Sequence, residues 1–294
     1  MKDQQAIHTP GYWASFWHSS QRDSILRQTQ HDNPEKWRRF YDKVADIWET
    51  MTGGRPCAEM TAALLSDRYG SSLAQKSIID IGCGTGSLSL ALARNGARVT
   101  SVDDSRGMIE VLETRHGAEA KKNGGGVQTR ACSWTEIEES KQFDAVVAAF
   151  FPPAWEPEGI TRCERLSKED CMLVLPTGGD AFPMRSALWS KIMRSNTPKR
   201  NTLLFYVFNY LYTRGRRPDI RQISWDERLE IDFESAVFFY TRYFELFGKT
   251  GRKIDTQIRD VLESFSSGGK ISAAGTTSAA IVMWNIQKRQ GSKH

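Results

Sequence analysis

The spacing of apolar residues changes character at Ser77 and again beyond Pro176. Before Ser77 it is helical. Trp37, Phe40, Tyr41, Val44, Ala45, Trp48 and Met51 fall on one face, and Met60, Leu64 and Leu65 on the inward side of a second helix. Asn33 offers a cap, Pro34 suits the first helical position, and Gly53-Gly54 closes the first pattern. The first thirty residues are polar, interrupted by Trp13, Phe16 and Trp17. From Ser77 the stripes give way to short continuous apolar runs. SIIDIG, RVTSVD, GVQTRA, FDAVVAAF and CMLVLP read as strands. SLSLALARNG, Arg106 to Arg115 and Glu158 to Ser167 read as the helices between them. Beyond Pro176, residues 184–214 look helical. Phe233, Ala236, Val237, Tyr240, Tyr243, Phe244 and Phe247 form another stripe, and residues 255–265 a further helix. DIRQISWDERLEI and TSAAIVMWNIQ complete the set as strands.

Strands alternating with helices at this rhythm imply βαβ units with right-handed crossovers. The expected fold is α/β: a doubly wound, mostly parallel, seven-stranded Rossmann-like sheet. Residues 1–76 would be a helical N-terminal extension and 77–182 the cofactor-binding core. Residues 183–294 would hold helical cap insertions and the final strands.

Composition narrows the class. Of 294 residues, 39% are hydrophobic and 26% charged, which suits a packed globular protein and argues against disorder. No run reaches the length of a membrane helix, and the N-terminus lacks the apolar centre of a signal peptide. A soluble cytoplasmic protein is expected. The net charge of +5 is mild and densest at Lys199-Arg200 and Arg214 to Arg221. That pattern reads as solvated surface able to attract an anionic substrate, and gives little support to nucleic-acid binding. Cys57, Cys83, Cys132, Cys163 and Cys171 form no CxxC pair and the His are scattered, so neither a zinc site nor a disulfide framework is expected.

The chemistry concentrates in Asp80-Ile81-Gly82-Cys83-Gly84-Thr85-Gly86, which follows a strand and opens a helix. Glycines there permit a tight turn and close approach of a ligand to the backbone. The spacing differs from a dinucleotide fingerprint, whose third glycine would fall at Ser87, and no GK[ST] follows, which excludes a P-loop. The next strand ends in Asp103, placed to accept both hydroxyls of a ribose. Asp80 and Asp103 each end a buried strand, where an unpaired carboxylate is costly, so both are expected to serve a ligand. Asp104 is expected to be exposed and idle.

DIGCGTGSLSLALARNGARVTSVDDSRGMI resembles motif I and the following strand of class I S-adenosylmethionine-dependent methyltransferases. The resemblance covers residues 77–176 well and implies S-adenosylmethionine as cofactor. Gly82, Gly84 and Gly86, with Cys83 between them, would pass under its methionine and ribose. Asp80 would orient the ammonium through water, and Asp103 would bind the ribose. Ser105 and Met108 would lie near the adenine, Met108 packing on the ring. Cys132-Ser133-Trp134 follows the third strand, where the family contacts the adenine edge. The family often has an acid there, this chain has none until Glu136, and Ser133 or the backbone is expected to substitute.

Phe151-Pro152-Pro153-Ala154 occupies the place of the [DNS]PP[YFW] motif of amine-directed methyltransferases but lacks its polar first residue and its final aromatic. The loop reads as an apolar wall. Phe238 and Phe239 lie off the stripe of residues 233–247; with Trp13, Phe16 and Trp17 they either roof an enclosed acceptor site or pack a helical cap on the sheet. A small-molecule acceptor is expected. RNA or protein methylation and a non-catalytic cofactor-binding scaffold are the alternatives. His18, His31, His116, Tyr12, Tyr41, Glu156 and Asp180 are equally supported as a base, and none is assigned.

Overall fold

The computed structural model describes residues 6–22, 24–53, 55–123, 126–178, 181–196 and 202–287, with side chains at 55 and 116–123 outside that description. Asp180, Lys199, Arg200 and the basic tail from Lys288 therefore fall outside it, as does the side chain of His116.

The polar opening of the chain is helical, which the aromatic interruptions alone did not indicate. Thr9 accepts from the Tyr12 N–H and Pro10 starts α1 (Pro10–Gln21); Ser24 caps α2 (Ile25–Asp32). The long helix α3 (Pro34–Thr52) starts at Pro34 and ends at Gly53, whose φ of 64° no helix continues through. Asn33 precedes it without making a side-chain cap bond. α4 (Arg55–Tyr69) completes the prelude.

The alternating section follows: β1 (Ser77–Ile81), α5 (Ser87–Arg94), β2 (Arg98–Asp103), α6 (Arg106–Asn123), β3 (Val127–Ala131), β4 (Phe143–Ala149), α7 (Pro157–Leu166) and β5 (Ser167–Pro176). Then come α8 (Pro183–Met193), α9 (Leu203–Thr213), β6 (Asp219–Asp232), α10 (Phe233–Glu245), α11 (Arg252–Glu263), the two-residue β7 (Ser266–Ser267) and β8 (Lys270–Asn285). The strand order is β3-β2-β1-β4-β5-β8-β6, with β7 on β8. β1 to β5 are parallel, while β8 runs antiparallel to both β5 and β6. This is the expected doubly wound sheet of seven long strands, with β7 as a small addition.

Alternate strand residues feed two layers. Ile79, Ile81, Val146 and Leu173 face a core with α7, α9 and Trp17. Ile78, Val99, Val147 and Met172 face the other, with α4 and α5. β8 begins at Lys270, earlier than its apolar run, and β5 begins at Ser167. Pro176, the last residue of β5, pairs with Ala279, so residues 270–278 of β8 pair with β6 beyond the carboxyl end of β5. This ribbon carries a third core: Leu229, Ile231 and Ile271 with α8, α10, α11 and the Trp37–Phe40–Val44–Met51 face of α3. The cap therefore rises past the carboxyl edge of the sheet, the edge at which such folds bind ligands.

Candidate cofactor site

At the end of β1 the chain turns through residues 82–86 before α5 begins. The turn hangs on β2, because the N–H groups of Gly82 and Cys83 both donate to the Val102 carbonyl, at 2.8 and 3.1 Å. Gly82, Gly84 and Gly86 have φ of 66°, 54° and 84°, a region costly for any residue with a Cβ. Space adds a second constraint at two of them. A Cβ on Gly82 would lie 2.3 Å from the Phe151 ring, and one on Gly86 would lie 2.1 Å from Leu112. At Gly84 it would meet nothing within 4 Å. The middle of the loop thus faces open space, where a ligand can lie against the backbone.

Asp103 ends β2 and ties this loop to α6. Its Oδ2 accepts from the Gly84 N–H and its Oδ1 from the Ser105 N–H, both at 2.9 Å. Each oxygen keeps a lone pair for a further donor. Burial pushes the carboxyl up to about 6, against the pull of these two N–H groups. Asp80 is 1% exposed, and its Oδ2 accepts from Ser89 Oγ at 2.6 Å. Ser89 Oγ accepts in turn from Ser101 Oγ at 2.7 Å. Burial pushes Asp80 up to about 7, with the charge of Asp103 adding to it. Asp80, expected to serve a ligand because an unpaired buried carboxylate is costly, has a neutral partner in Ser89. Among the described residues neither acid has an ion-pair partner.

Ser105 is fully buried. Its hydroxyl accepts from the Met108 N–H at 3.2 Å and donates to Asp42 Oδ1 at 2.8 Å, so it caps α6. Met108 is 2% exposed on the first turn of that helix. Asp104 is exposed. After β3, Ser133 and Glu136 form a capping box around a short turn at Trp134–Glu136. Glu136 Oε1 accepts from the Ser133 N–H at 2.8 Å, and Ser133 Oγ accepts from the Thr135 N–H at 3.3 Å. The first acid after β3 is thus folded back onto the residue expected to replace it. Trp134 stands edge-on to Phe151 at 5.7 Å, with the Arg162 guanidinium 5.4 Å above its own ring. The structure therefore brings together Gly82, Phe151 and Trp134. Burial, and then the charges of Asp103 and Asp80, hold the Cys83 thiol well above the usual range.

Sequence reasoning missed the contribution of α3. Asp42 accepts from Ser105 and from the Gly107 N–H, the latter at 3.0 Å. Glu49 accepts from Thr85 Oγ1 at 3.0 Å, from Ser87 Oγ and from Arg115 Nη1. On an amphipathic helix such acids read as solvent-facing, and no local signal marks partners this far along the chain.

The candidate aromatic roof divides in two. Trp17 lies edge-on to Tyr206 at 5.3 Å, Phe16 is 5.2 Å from Tyr206, and Trp13 is 5.4 Å from Phe205, all against α9. Phe239 is 4% exposed and packs on Phe40 and Trp48 in the cap core. It is a core residue, because α3 covers a second side of α10. Phe238 is exposed beneath Arg242. The basic stretch from Arg214 also differs from expectation. Arg214 and Arg216 bond the buried Glu164 at 2.7 and 2.8 Å, and Trp284 Nε1 donates to the same carboxylate at 3.0 Å. Of the possible bases, His18 bonds Glu158, His31 bonds Asp32, and Arg27 pairs with Glu156.

The open glycine loop and two buried acids without an ion-pair partner among the described residues fit a ligand with hydroxyl donors and positive charge. Residues 78–170 match the family described as a methyltransferase domain. The ubiquinone biosynthesis O-methyltransferase of Coxiella burnetii is 28% identical over 187 residues, covering 62% of this chain and 73% of that protein. The chloroplastic magnesium protoporphyrin IX methyltransferase of Arabidopsis thaliana is 33% identical over 89 residues, covering 29% of this chain and 28% of that one. The magnesium protoporphyrin IX methyltransferase structure from Synechocystis PCC 6803 is 13% identical, covering 86% of this chain and 96% of that chain, with a TM-score of 0.47. The chain carries a methyltransferase domain over residues 78–170, consistent with the class I S-adenosylmethionine-dependent superfamily. It is an enzyme of that class, and S-adenosylmethionine is its cofactor. No helix among the described residues is long and apolar enough to cross a membrane, and no group of three or more His, Cys, Asp or Glu there is placed to hold a metal ion.

Proposed function

We propose that the enzyme methylates a small, planar, largely apolar acceptor held against an aromatic wall at the carboxyl end of β4. The observation that carries this reading is Phe150. Its φ is 52°, and the residue is 40% exposed. A left-handed conformation at an aromatic residue costs roughly 1–2 kcal/mol, and such strain persists chiefly where function requires it. The Phe150 N–H still donates to the Val174 carbonyl at 3.0 Å, so β4 keeps its pairing with β5 through the strained residue. The next residue, Phe151, turns its ring over Gly82. One ring thus closes the cofactor loop while the other stays available to a flat partner.

In this reading residues 1–76 are the extension, 77–182 bind cofactor, and 183–294 supply the cap and complete the sheet. Gly82, Gly84 and Gly86 provide the backbone floor, and Asp103 takes the ribose hydroxyls. Ser105 and Met108 shape the adenine end, with Ser133 and Trp134 at its edge. The bound cofactor supplies an activated methyl group and its own leaving group. The chain supplies alignment and exclusion of water, and Phe150, Phe151 and Trp134 provide the exclusion. The relatives named for ubiquinone biosynthesis and for magnesium protoporphyrin IX support a planar acceptor. The modest net charge supports a small-molecule acceptor over nucleic acid, and a cytoplasmic location is part of the same proposal.

The test is release of S-adenosylhomocysteine across phenols, catechols, carboxylates, amines and thiols, with total RNA and a protein extract in parallel. Turnover with planar ring compounds alone is expected. Methylation of RNA or protein alone would overturn the reading. Cofactor binding with no turnover on any acceptor would favour a scaffold.

A further inference from the structure

We infer that Asp42 and Glu49, on the helix before the sheet, are positioning residues for S-adenosylmethionine, holding the glycine loop and the start of α6 in the shape that receives it. The two acids lie seven residues apart on α3, away from the face formed by Trp37, Phe40, Val44 and Met51, which packs into the cap. Asp42 Oδ1 accepts both the Ser105 hydroxyl, at 2.8 Å, and the Gly107 N–H, at 3.0 Å. The two backbones nearly touch there: a Cβ on Gly107 would lie 2.7 Å from the Asp42 carbonyl oxygen. Asp42 thereby fixes the turn that also presents the Ser105 N–H to Asp103.

Glu49 acts on the loop itself. Its Oε1 takes the hydroxyls of Thr85, at 3.0 Å, and Ser87, together with Arg115 Nη1. Arg115 Nη1 also donates to the Thr85 carbonyl at 2.8 Å. Thr85 is thus gripped by both side chain and backbone, between two glycines in left-handed conformation. Glycines have little conformational preference of their own, so the loop's shape has to be imposed from outside. A loop already in its bound shape loses less entropy on binding and binds more tightly. Burial alone would push the Glu49 carboxyl up, but the Ser87 hydroxyl, the charge and hydrogen bond of Arg115 and the Thr85 hydroxyl together hold it below the usual range. It therefore stays anionic at neutral pH and keeps its grip.

The experiment is calorimetric titration of S-adenosylhomocysteine into the full chain and into Glu49→Gln, Asp42→Asn, Ser87→Ala and Asp46→Asn, with an unfolding curve for each free protein. Glu49→Gln and Asp42→Asn are expected to bind about 10-fold more weakly or worse, and Ser87→Ala a few-fold more weakly. Asp46→Asn, at an exposed position of the same helix, is expected to stay within about twofold of the parent. Arg115→Met added to Glu49→Gln should lose less than the product of the two single losses, as a shared grip requires. Affinities of Glu49→Gln and Ser87→Ala within twofold of the parent, whatever their unfolding midpoints, would reduce α3 to packing support and overturn the inference. If Glu49→Gln does not fold, Ser87→Ala, which deletes one hydroxyl, decides. A parent protein that does not bind S-adenosylhomocysteine would overturn the cofactor assignment and this inference with it.

Discussion

The two edges of one sheet treat their acids differently. At the amino edge Asp170 is met by Arg68 Nη2 at 2.8 Å, the Tyr69 hydroxyl at 2.8 Å and Asn285 Nδ2 at 3.0 Å. Glu169 holds Lys76 at 2.7 Å, and Asp144 takes the backbone N–H and hydroxyl of Ser77. Burial alone would raise Asp144, but the Ser77 bonds and then Lys168 and Lys76 hold it below the usual range. At the carboxyl edge Asp80 and Asp103 have only neutral donors, and burial raises both. Structural acids are paired where they stand, whereas these two carry an unbalanced desolvation cost, as the proposal that they meet a ligand requires.

The largest expected effect is at the amino edge. Asp170→Ala removes the buried carboxylate that Arg68, Tyr69 and Asn285 share. It should lower stability by roughly 3–5 kcal/mol, because three hydrogen bonds to a charged acceptor are lost together. Denaturant unfolding of the free protein measures this, and S-adenosylhomocysteine affinity at a temperature where the variant is folded should be unchanged. An equal loss of cofactor affinity would erase the contrast between the edges.

Asp103→Ala should reverse the pattern. Losing hydrogen bonds to a charged acceptor should cost roughly 1.5–3 kcal/mol of cofactor binding, about 10- to 150-fold. The free protein should unfold near the parent midpoint at neutral pH, because relief of the Asp103 desolvation cost offsets the loss of its bonds from the Gly84 and Ser105 N–H groups.

The third expectation concerns pH. Burial raises the Asp103 carboxyl from its ordinary 3.8 to about 6, and Asp80 to about 7. Between the ordinary and the raised values each carboxyl holds a proton more often in the folded chain than in the unfolded one. Free-protein stability should therefore fall as pH rises from 4 through 7, each carboxyl contributing on the order of 1 kcal/mol for every pH unit of its window. Asp103→Asn should flatten part of that slope. Cofactor affinity should move the other way, weakening as pH drops below about 6, because protonated Asp103 offers fewer acceptor sites. Stability curves at several pH values check the first slope and calorimetry checks the second.

Much of the carboxyl edge was legible in the sequence because its chemistry is local. The three glycines, Asp80 and Asp103 sit within two strand–turn units, and their spacing alone distinguishes this loop from a dinucleotide or P-loop turn. What escaped depends on distance. Glu49 reaches Thr85 and Arg115 across the chain, and no periodicity distinguishes it from a solvent-facing acid. Lys270 to Ser278 extend β8 through small and polar residues because only β6 lies beside them at that height. Phe239 counted as off-stripe because the stripe assumed one packed face, whereas α3 buries another. Arg214 and Arg216 read as surface charge because their partner Glu164 lies on a separate helix.

The smallest expected effect concerns Phe150. Phe150→Gly removes left-handed strain of roughly 1–2 kcal/mol, adds roughly 0.5–1 kcal/mol of backbone entropy cost and gives up roughly 1–2 kcal/mol of burial of a residue that is 40% exposed. Free-protein stability should therefore stay within about 1 kcal/mol of the parent in thermal unfolding, with cofactor affinity unchanged and acceptor turnover reduced. A clear loss of stability would make Phe150 a packing residue and remove the main support for the aromatic acceptor wall.

The central proposal is that the carboxyl edge holds S-adenosylmethionine through the glycine loop and Asp103. Calorimetric titration of S-adenosylhomocysteine into the parent and Asp103→Ala proteins, with NAD as the competing ligand, tests this in one experiment. Saturable S-adenosylhomocysteine binding to the parent, binding about 10- to 150-fold weaker to the variant, and no NAD binding are expected. Equal affinity in the two proteins, or NAD binding where S-adenosylhomocysteine does not bind, would contradict it.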